Sequence, residues 1–246
     1  MHLKARQMTL ASPNRFNPKL AVIRQRFESD LVLNKEFLSP EQIRYCLAKN
    51  IAWAPQETDE NRHIKKSNQI EQKELDGLET RAAVMIPILL HNVEPTILFT
   101  VRSISLSSHA GQISFPGGRF SPEDKCLIET AKREVKEEVG INSEDIEVLG
   151  SFPEYCTISG YRVTPVIALV RPQSSYILNF DEVSEIFEVP ISYLLNPKNL
   201  DLRSWESEQG RRHFYTITFE KHLIWGATAA ILRNFYLYLR IANNAV

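Results

Sequence analysis

The alternation of apolar and polar positions predicts that strands dominate the chain after residue 80. Two apolar runs, at 82–90 and 96–101, flank the polar segment 91–95, which is typical of a hairpin or of two adjacent strands. Further candidate strands lie at 146–152, 163–170, 186–189 and 213–219, and residues 227–240 have the pattern of a closing helix. Because strands outnumber helices and their order is mixed, the pattern predicts an α+β fold.

Two other segments have the features of helices. Ser39 and the proline after it form a capping signal, which predicts a short helix from about residue 39 to residue 49. The second helix has an apolar stripe suited to packing on a sheet, formed by Leu127, Ile128, Ala131, Val135 and Val139. Gly140 follows this stripe, where a residue in the left-handed conformation commonly ends a helix.

Composition divides the chain into three parts. Residues 1–54 are predicted to be a basic arm with a short helix, since residues 1–27 contain six Lys and Arg and no acid. This acid-poor start also resembles an organelle transit peptide, although its amphipathic pattern is modest. Residues 55–80 contain seven acids, four basic residues and no aromatic side chain, which predicts a polar linker. The main folded domain is expected at residues 81–246.

The overall composition narrows the class of protein. The chain has 246 residues, of which 43% are apolar and 24% charged, as in ordinary globular proteins. Its 29 basic and 30 acidic residues give a net charge of −1, so no positive field attracts nucleic acid. The longest apolar run is far shorter than the roughly 20 residues of a membrane span. With three scattered cysteines and no apolar signal core, we expect a cytoplasmic protein that binds neither nucleic acid nor membrane.

Three carboxylates crowd one arc of the second predicted helix. Glu134, Glu137 and Glu138 are spaced i, i+3 and i+4, beside the apolar stripe, where like charges repel one another. A positive group is therefore expected to neutralise them, and Mg²⁺ prefers carboxylate and phosphate oxygens. Gly117 and Gly118 precede the helix and allow the backbone to approach a metal or a phosphate closely. Together these residues predict a metal and phosphate site.

The segment from Gly118 to Ile141 resembles the Nudix box, the loop-helix-loop signature of hydrolases that cleave a nucleoside diphosphate linked to another group. Its second half, residues 133–141, matches the family pattern at every defined position. Its first half has one extra residue before Arg133, and Asp124 stands where a glutamate is usual. Both departures recur in one branch, the coenzyme A pyrophosphatases. The resemblance implies a Nudix α/β/α sandwich with a mixed β-sheet, and the helical arm that the sequence pattern predicts at the N-terminus precedes it.

An upstream stretch is similar to the same branch. The extended motif of the coenzyme A pyrophosphatases is matched by LFTVRS at 98–103, HAG at 109–111 and FPGG at 115–118. Ser107 stands where that motif has an arginine, and the lost charge puts a phosphate contact and the substrate preference in question. Segments 160–166, 181–183 and 225–229 also resemble this branch, so the similarity covers about residues 80 to 240.

The resemblance implies metal-dependent hydrolysis of coenzyme A to 3′,5′-ADP and 4′-phosphopantetheine. Glu134, Glu137 and Glu138 would hold Mg²⁺ or Mn²⁺, and the backbone carbonyl of Gly117 would be a further ligand. A bound metal neutralises phosphoryl charge and lowers the pKa of its water. Glu134 and Glu182 are the two alternatives for the general base.

The resemblance also implies a set of residues that contact the substrate: Arg102, Ser103, His109, Gly111 and Gly118. Arg102 is the strongest of these, because a guanidinium matches phosphate geometry. Arg133 is expected to brace Glu137, which lies four residues further along the helix.

Two other functions stay open at this point. Ser107 leaves room for a Nudix diphosphatase that acts on ADP-ribose or on a dinucleotide. The other alternative is a non-catalytic nucleotide-binding module, which would have no reason to keep three mutually repelling glutamates. The expected ligand is in each case a small nucleotide derivative, and the sequence leaves a homodimer open.

Overall fold

The computed structural model describes residues 16–49, 51–56, 80–106, 108–157, 159–207 and 210–244. The α-helices in these ranges are α1 (Pro40–Ala48), α2 (Leu127–Val139), α3 (Ile191–Leu194) and α4 (Ala227–Asn244). The strands are β1 (Val22–Arg26), β2 (Thr80–Leu89), β3 (Thr96–Arg102), β4 (Ile113–Ser114), β5 (Gly117–Arg119), β6 (Ile146–Ser151), β7 (Tyr155–Cys156), β8 (Tyr161–Val170), β9 (Val183–Pro190), β10 (Leu200–Ser207), β11 (Gly210–Phe219) and β12 (His222–Trp225). Short 3₁₀ turns lie at Pro18–Leu20, Glu36–Leu38, Ser143–Asp145 and Pro197–Asn199.

The strands form two sheets. The mixed sheet has the order β4-β3-β2-β8-β6, with β5 paired to β2, β7 to β8 and β9 to β3. Within it, β2 and β8 are parallel and the other pairs are antiparallel. The second sheet, β1-β10-β11-β12, is antiparallel throughout. This combination of helices with a mixed and an antiparallel sheet confirms the predicted α+β class.

The mixed sheet is the middle layer of the molecule. On one face, α2 buries Ala131, Val135 and Val139 completely and packs against Met85 of β2. On the other face, Ile86 of β2 joins a larger core that includes α1, α4 and the second sheet. Because successive strand residues point to opposite faces, burial on both sides explains the unbroken apolar run at β2.

The N-terminal segment contributes a strand that the sequence pattern did not predict. Strand β1 pairs with β10, from Val22 opposite Ser204 to Arg26 opposite Asp201. Every residue of β1 is exposed, so no apolar alternation marks it. The predicted short helix is confirmed as α1, where the Ser39 hydroxyl oxygen accepts a bond from the Gln42 backbone at 3.2 Å.

The described part of the predicted arm packs on the C-terminal helix. The Tyr236 hydroxyl donates to the Leu31 carbonyl at 2.6 Å, and Arg233 lies 2.8 Å from Asp30. Residues of α1 and α4 belong to the same apolar core. The division of the chain at residues 54 and 80 stays a prediction, because residues 57–79 of the proposed linker lie outside the described residues.

Most of the predicted elements after residue 80 are confirmed. Strands β2 and β3 are adjacent and antiparallel, as predicted, and pair at Ile88 with Ile97 and at Leu89 with Thr96. On its other side β2 pairs over its whole length with β8. The strands that were not predicted after residue 80 are β4, β5, β7, β10 and β12. Among the helices that the structure describes, none combines the length and apolarity needed to cross a bilayer.

Candidate active site

Two glycines allow strand β5 to come close to its neighbours, strand β2 and helix α2. A Cβ on Gly117 would overlap the carbonyl oxygen of Ala83 in the neighbouring strand β2. A Cβ on Gly118 would lie 2.5 Å from the carboxylate of Glu134. Real Cβ atoms do not approach other atoms this closely, so any larger residue at Gly118 would displace the glutamate.

Two carboxylates of α2 are buried beside these glycines. Glu134 is 9% exposed and Glu138 is 3% exposed, and the backbone N–H of Gly117 donates to Glu138 Oε2 at 3.2 Å. Burial raises the pKa of Glu138 to about 8, against the lowering effect of the Gly117 bond. Burial also raises the pKa of Glu134, opposed by the nearby Arg133. Both shifts mean that ionising these groups costs free energy while no cation is bound.

A third carboxylate reaches the site from a distant part of the chain. Glu182 immediately precedes β9, and its backbone carbonyl accepts a 2.7 Å bond from the N–H of Ser103 at the end of β3. One carboxylate oxygen from each of Glu134, Glu138 and Glu182 lies within 4.8 Å of the others. We call these three residues the carboxylate cluster. It supplies only hard oxygen donors, which are the ligands that Mg²⁺ and Mn²⁺ prefer.

Glu137 lies outside the carboxylate cluster. Its Oε2 accepts a 2.8 Å bond from Arg133 Nη1, and its side chain is half exposed. The predicted contact between Arg133 and Glu137 is therefore present. The same guanidinium also contacts Glu134 Oε1 at 2.9 Å. Arg133 therefore contacts both the half-exposed Glu137 and one member of the carboxylate cluster.

Asp124 holds Arg133 in place. Its two carboxylate oxygens lie 2.9 and 3.1 Å from Arg133 Nε and Nη2 and also accept bonds from Ser121 and Thr130. These bonds hold the pKa of Asp124 well below its usual range. A two-pronged contact of this kind fixes a guanidinium in direction as well as position. Asp124 stands where the family pattern usually has a glutamate, and here it positions Arg133.

The upstream motif forms the wall of the site next to Glu138. Arg102 ends β3, its charge lowers the pKa of Glu138, and its buried Nε has no hydrogen-bond partner within the described residues. Ser103 is 6% exposed, and its backbone anchors Glu182 as described above. A buried donor without a partner is costly, which makes this guanidinium a suitable place for a phosphate oxygen.

The other two predicted contact residues shape the loop after β3. Gly111 has φ +70° and donates from its N–H to the carbonyl of Arg102 at 3.0 Å. His109 is exposed and also has a positive φ, and its Nδ1 lies 2.8 Å from Gln112 Oε1. The hydrogen bonds of Gly111 and His109 therefore stabilise this loop and its connection to β3. Ser107, which stands where the related motif has an arginine, lies outside the described residues.

Comparison with known proteins identifies the family. The family model described as the NUDIX domain matches residues 79–211, which is more than half of the chain. The chain belongs to the Nudix family. Its hydrolases cleave the pyrophosphate bond of nucleoside diphosphate derivatives and generally use divalent metal ions.

Relatives among the Nudix hydrolases match about two thirds of the chain. The chain is 40% identical over 161 residues to "Uncharacterized Nudix hydrolase NudL" of Pectobacterium atrosepticum, covering 65% of this chain and 83% of the relative. A protein of the same name from Photorhabdus laumondii is 44% identical over 163 residues, covering 65% of this chain and 85% of the relative. Among solved structures, a MutT/nudix family protein from Enterococcus faecalis matches with a TM-score of 0.42 at 16% identity, covering 83% of this chain and 75% of the other.

One residue of this Nudix site was missed by the sequence analysis. The Asn179 side chain donates from Nδ2 to Glu182 Oε1 at 3.3 Å, and its Oδ1 accepts from the Asp181 N–H at 3.2 Å. An asparagine that bonds the backbone two residues further on is a common turn signal. The spacing of Asn179 and Asp181, just before Glu182, is the sequence signal that indicates a role for Asn179.

Proposed function

We propose that this Nudix hydrolase is a coenzyme A diphosphatase. It would cleave the pyrophosphate that joins 3′-phosphoadenosine to phosphopantetheine, producing 3′,5′-ADP and 4′-phosphopantetheine. The observation that carries this proposal is the location of the stretch that resembles the coenzyme A pyrophosphatase motif. That stretch supplies Arg102, Ser103 and Gly117, which contact or lie next to the carboxylate cluster.

The carboxylate cluster is the proposed metal site. Glu134, Glu138 and Glu182 would hold Mg²⁺ or Mn²⁺, with Glu137 and the Gly117 carbonyl as further ligands implied by the resemblance. The metal supplies charge neutralisation at the phosphoryl oxygens and lowers the pKa of bound water. The raised pKa of Glu138 supports this assignment, since a divalent cation would relieve the cost of ionising a buried carboxylate.

Side chains of the protein are proposed to bind the substrate and to accept the proton. Arg102 is proposed to contact a phosphate oxygen through its guanidinium group. Glu134 and Glu182 both lie in the cluster and remain the two candidate bases. Replacing each with Gln and measuring kcat at saturating Mn²⁺ distinguishes them, because only removal of the base abolishes the corresponding limb of the pH dependence of kcat.

A second substrate class is kept as an alternative because of Ser107. If the arginine of the related motif contacts a phosphate, its replacement by serine would weaken that contact and favour another nucleoside diphosphate derivative. ADP-ribose and dinucleotides belong to this class. The alternative shares the carboxylate cluster and differs only in the substrate that fits beside it.

A product assay decides between these substrates. The full chain is incubated with Mg²⁺ or Mn²⁺ and, separately, with coenzyme A, acetyl-coenzyme A, ADP-ribose, NADH and diadenosine polyphosphates, and products are separated by chromatography. We expect 3′,5′-ADP from coenzyme A to form far faster than products from the others. Faster cleavage of ADP-ribose or a dinucleotide would overturn the coenzyme A assignment. Absence of cleavage for every substrate would overturn catalysis itself and favour a nucleotide-binding module.

A further inference from the structure

The segment that carries Glu182 is attached to the end of the helix that carries Glu138. The backbone N–H of Ile177 donates to the Val139 carbonyl at 3.2 Å, and that of Asn179 donates to the Glu138 carbonyl at 3.1 Å. These carbonyls belong to the last turn of α2, where no further helical N–H follows to bond them. The segment therefore caps α2 and approaches the carboxylate cluster from the helix end.

Gly140 makes this attachment possible. It ends α2 with φ +77°, and a Cβ at this position would lie 2.9 Å from the Cβ of Ile177. A side chain here would push the Ile177 segment away from the helix. The glycine that ends the Nudix helix thus also sets the path of the chain that leads to Glu182.

Asn179 connects this attachment to the carboxylate of Glu182. Besides its N–H on Glu138, its carbonyl accepts bonds from the N–H groups of Glu182 and Val183, at 3.0 and 2.8 Å. Its side chain bonds Glu182 Oε1 through Nδ2 and the Asp181 backbone through Oδ1. Every polar group of Asn179 is engaged, and three of its bonds determine where Glu182 lies.

Glu182 needs such a restraint because it lies on the segment before β9, outside the helix that fixes the positions of Glu134 and Glu138. An amide donor holds one oxygen of Glu182 without neutralising its charge, so the carboxylate keeps its full attraction for a cation. Groups that orient metal ligands in this way change metal affinity when they are removed.

We propose that Asn179 is a positioning residue that keeps the Glu182 carboxylate within the cluster and thereby sets the affinity for the divalent ion. This inference rests on the proposed metal-binding role of the cluster, but it is independent of whether coenzyme A is the substrate.

The test measures Mn²⁺ binding to the full chain without substrate, by the EPR signal of free Mn²⁺. In Asn179→Ser the hydroxyl keeps a turn acceptor for the Asp181 N–H but is too short to reach Glu182. We expect Mn²⁺ affinity to fall by about 10-fold or more, the usual effect of losing an orienting group. At saturating Mn²⁺ most of the kcat should return, because the ligands themselves are intact.

Asn196 provides the matched control. Its Oδ1 accepts from the Lys198 N–H at 3.1 Å, the same two-residue turn, in a part of the fold away from the cluster. Asn196→Ser should leave Mn²⁺ affinity unchanged while its melting temperature changes about as much as that of Asn179→Ser. If both variants bind Mn²⁺ like the wild type, the positioning role is refuted.

A double-mutant comparison shows whether Asn179 acts through Glu182. In a Glu182→Gln background, Asn179→Ser should cause no further loss of Mn²⁺ affinity. An equal loss in both backgrounds would overturn the proposal, because the effect would then pass through the backbone of α2. If the wild type binds no Mn²⁺, the proposed metal site itself is refuted. If the wild type binds Mn²⁺ and Asn179→Ser binds it equally well, only the positioning role of Asn179 is refuted.

Discussion

Glu138 is the most deeply buried carboxylate of the cluster, at 3% exposure, and its ionisation should destabilise the metal-free protein. Its pKa is about 8 in the folded chain, against 4.5 for the unperturbed group. Between these values the folded protein retains a proton that the unfolded chain releases. The contribution of Glu138 to stability is therefore present at low pH and is lost as pH rises through this window.

The change Glu138→Gln removes this titration while the amide oxygen can still accept the bond from Gly117. Each unit of pKa shift corresponds to about 1.4 kcal/mol, so the wild type should lose about 3 kcal/mol relative to the variant between pH 5 and pH 8. The cost of burying the amide is the same at both pH values and cancels in this comparison. For a chain of this size the relative change in melting temperature is about 10 °C.

The assay is thermal unfolding of both proteins at pH 5 and pH 8 in the presence of a chelator. The control is Glu129→Gln on the same helix, where the side chain is half exposed and the stability change should stay within about 0.5 kcal/mol at both pH values. Added Mn²⁺ should stabilise the wild type and not Glu138→Gln, whose hydrolysis should fall by orders of magnitude. A stability gap independent of pH, or full activity in the variant, would refute the reasoning.

Three further predictions concern the surroundings of the cluster. Ser107→Arg should lower the KM for coenzyme A in steady-state kinetics, and an unchanged KM would argue against a missing phosphate contact. Gly118→Ala places a Cβ 2.5 Å from the Glu134 carboxylate, so kcat should fall by about 100-fold while circular dichroism shows a folded chain; wild-type kcat would contradict the close approach. Asp124→Asn should destabilise the protein by about 2 kcal/mol in urea at pH 7, because it removes the charge of the most buried of the three carboxylates that contact Arg133. Since the folded pKa of Asp124 is depressed, this difference should shrink as pH falls below about 4, and a difference constant with pH would contradict the pairing.

The sequence by itself determined the parts of the protein that depend on neighbouring residues. The period of apolar residues identified α2 and its buried face, and the capping signal at Ser39 identified α1. The spacing of Glu134 and Glu138 placed both carboxylates on the same side of α2, as the structure shows. These features are predictable because helix geometry relates residues three and four positions apart wherever the helix lies.

The tertiary structure alone decided which carboxylates meet. Helix spacing treats Glu137 and Glu138 alike, yet docking on the mixed sheet buries Glu138 and leaves Glu137 half exposed beside Arg133. Only the family resemblance points to Glu182, and its position depends on Ser103 at the end of another strand. Strand β1 likewise depends on its partner β10, since its own side chains are all exposed. Contacts between distant segments follow from packing of the whole chain, and no local pattern of residues encodes them.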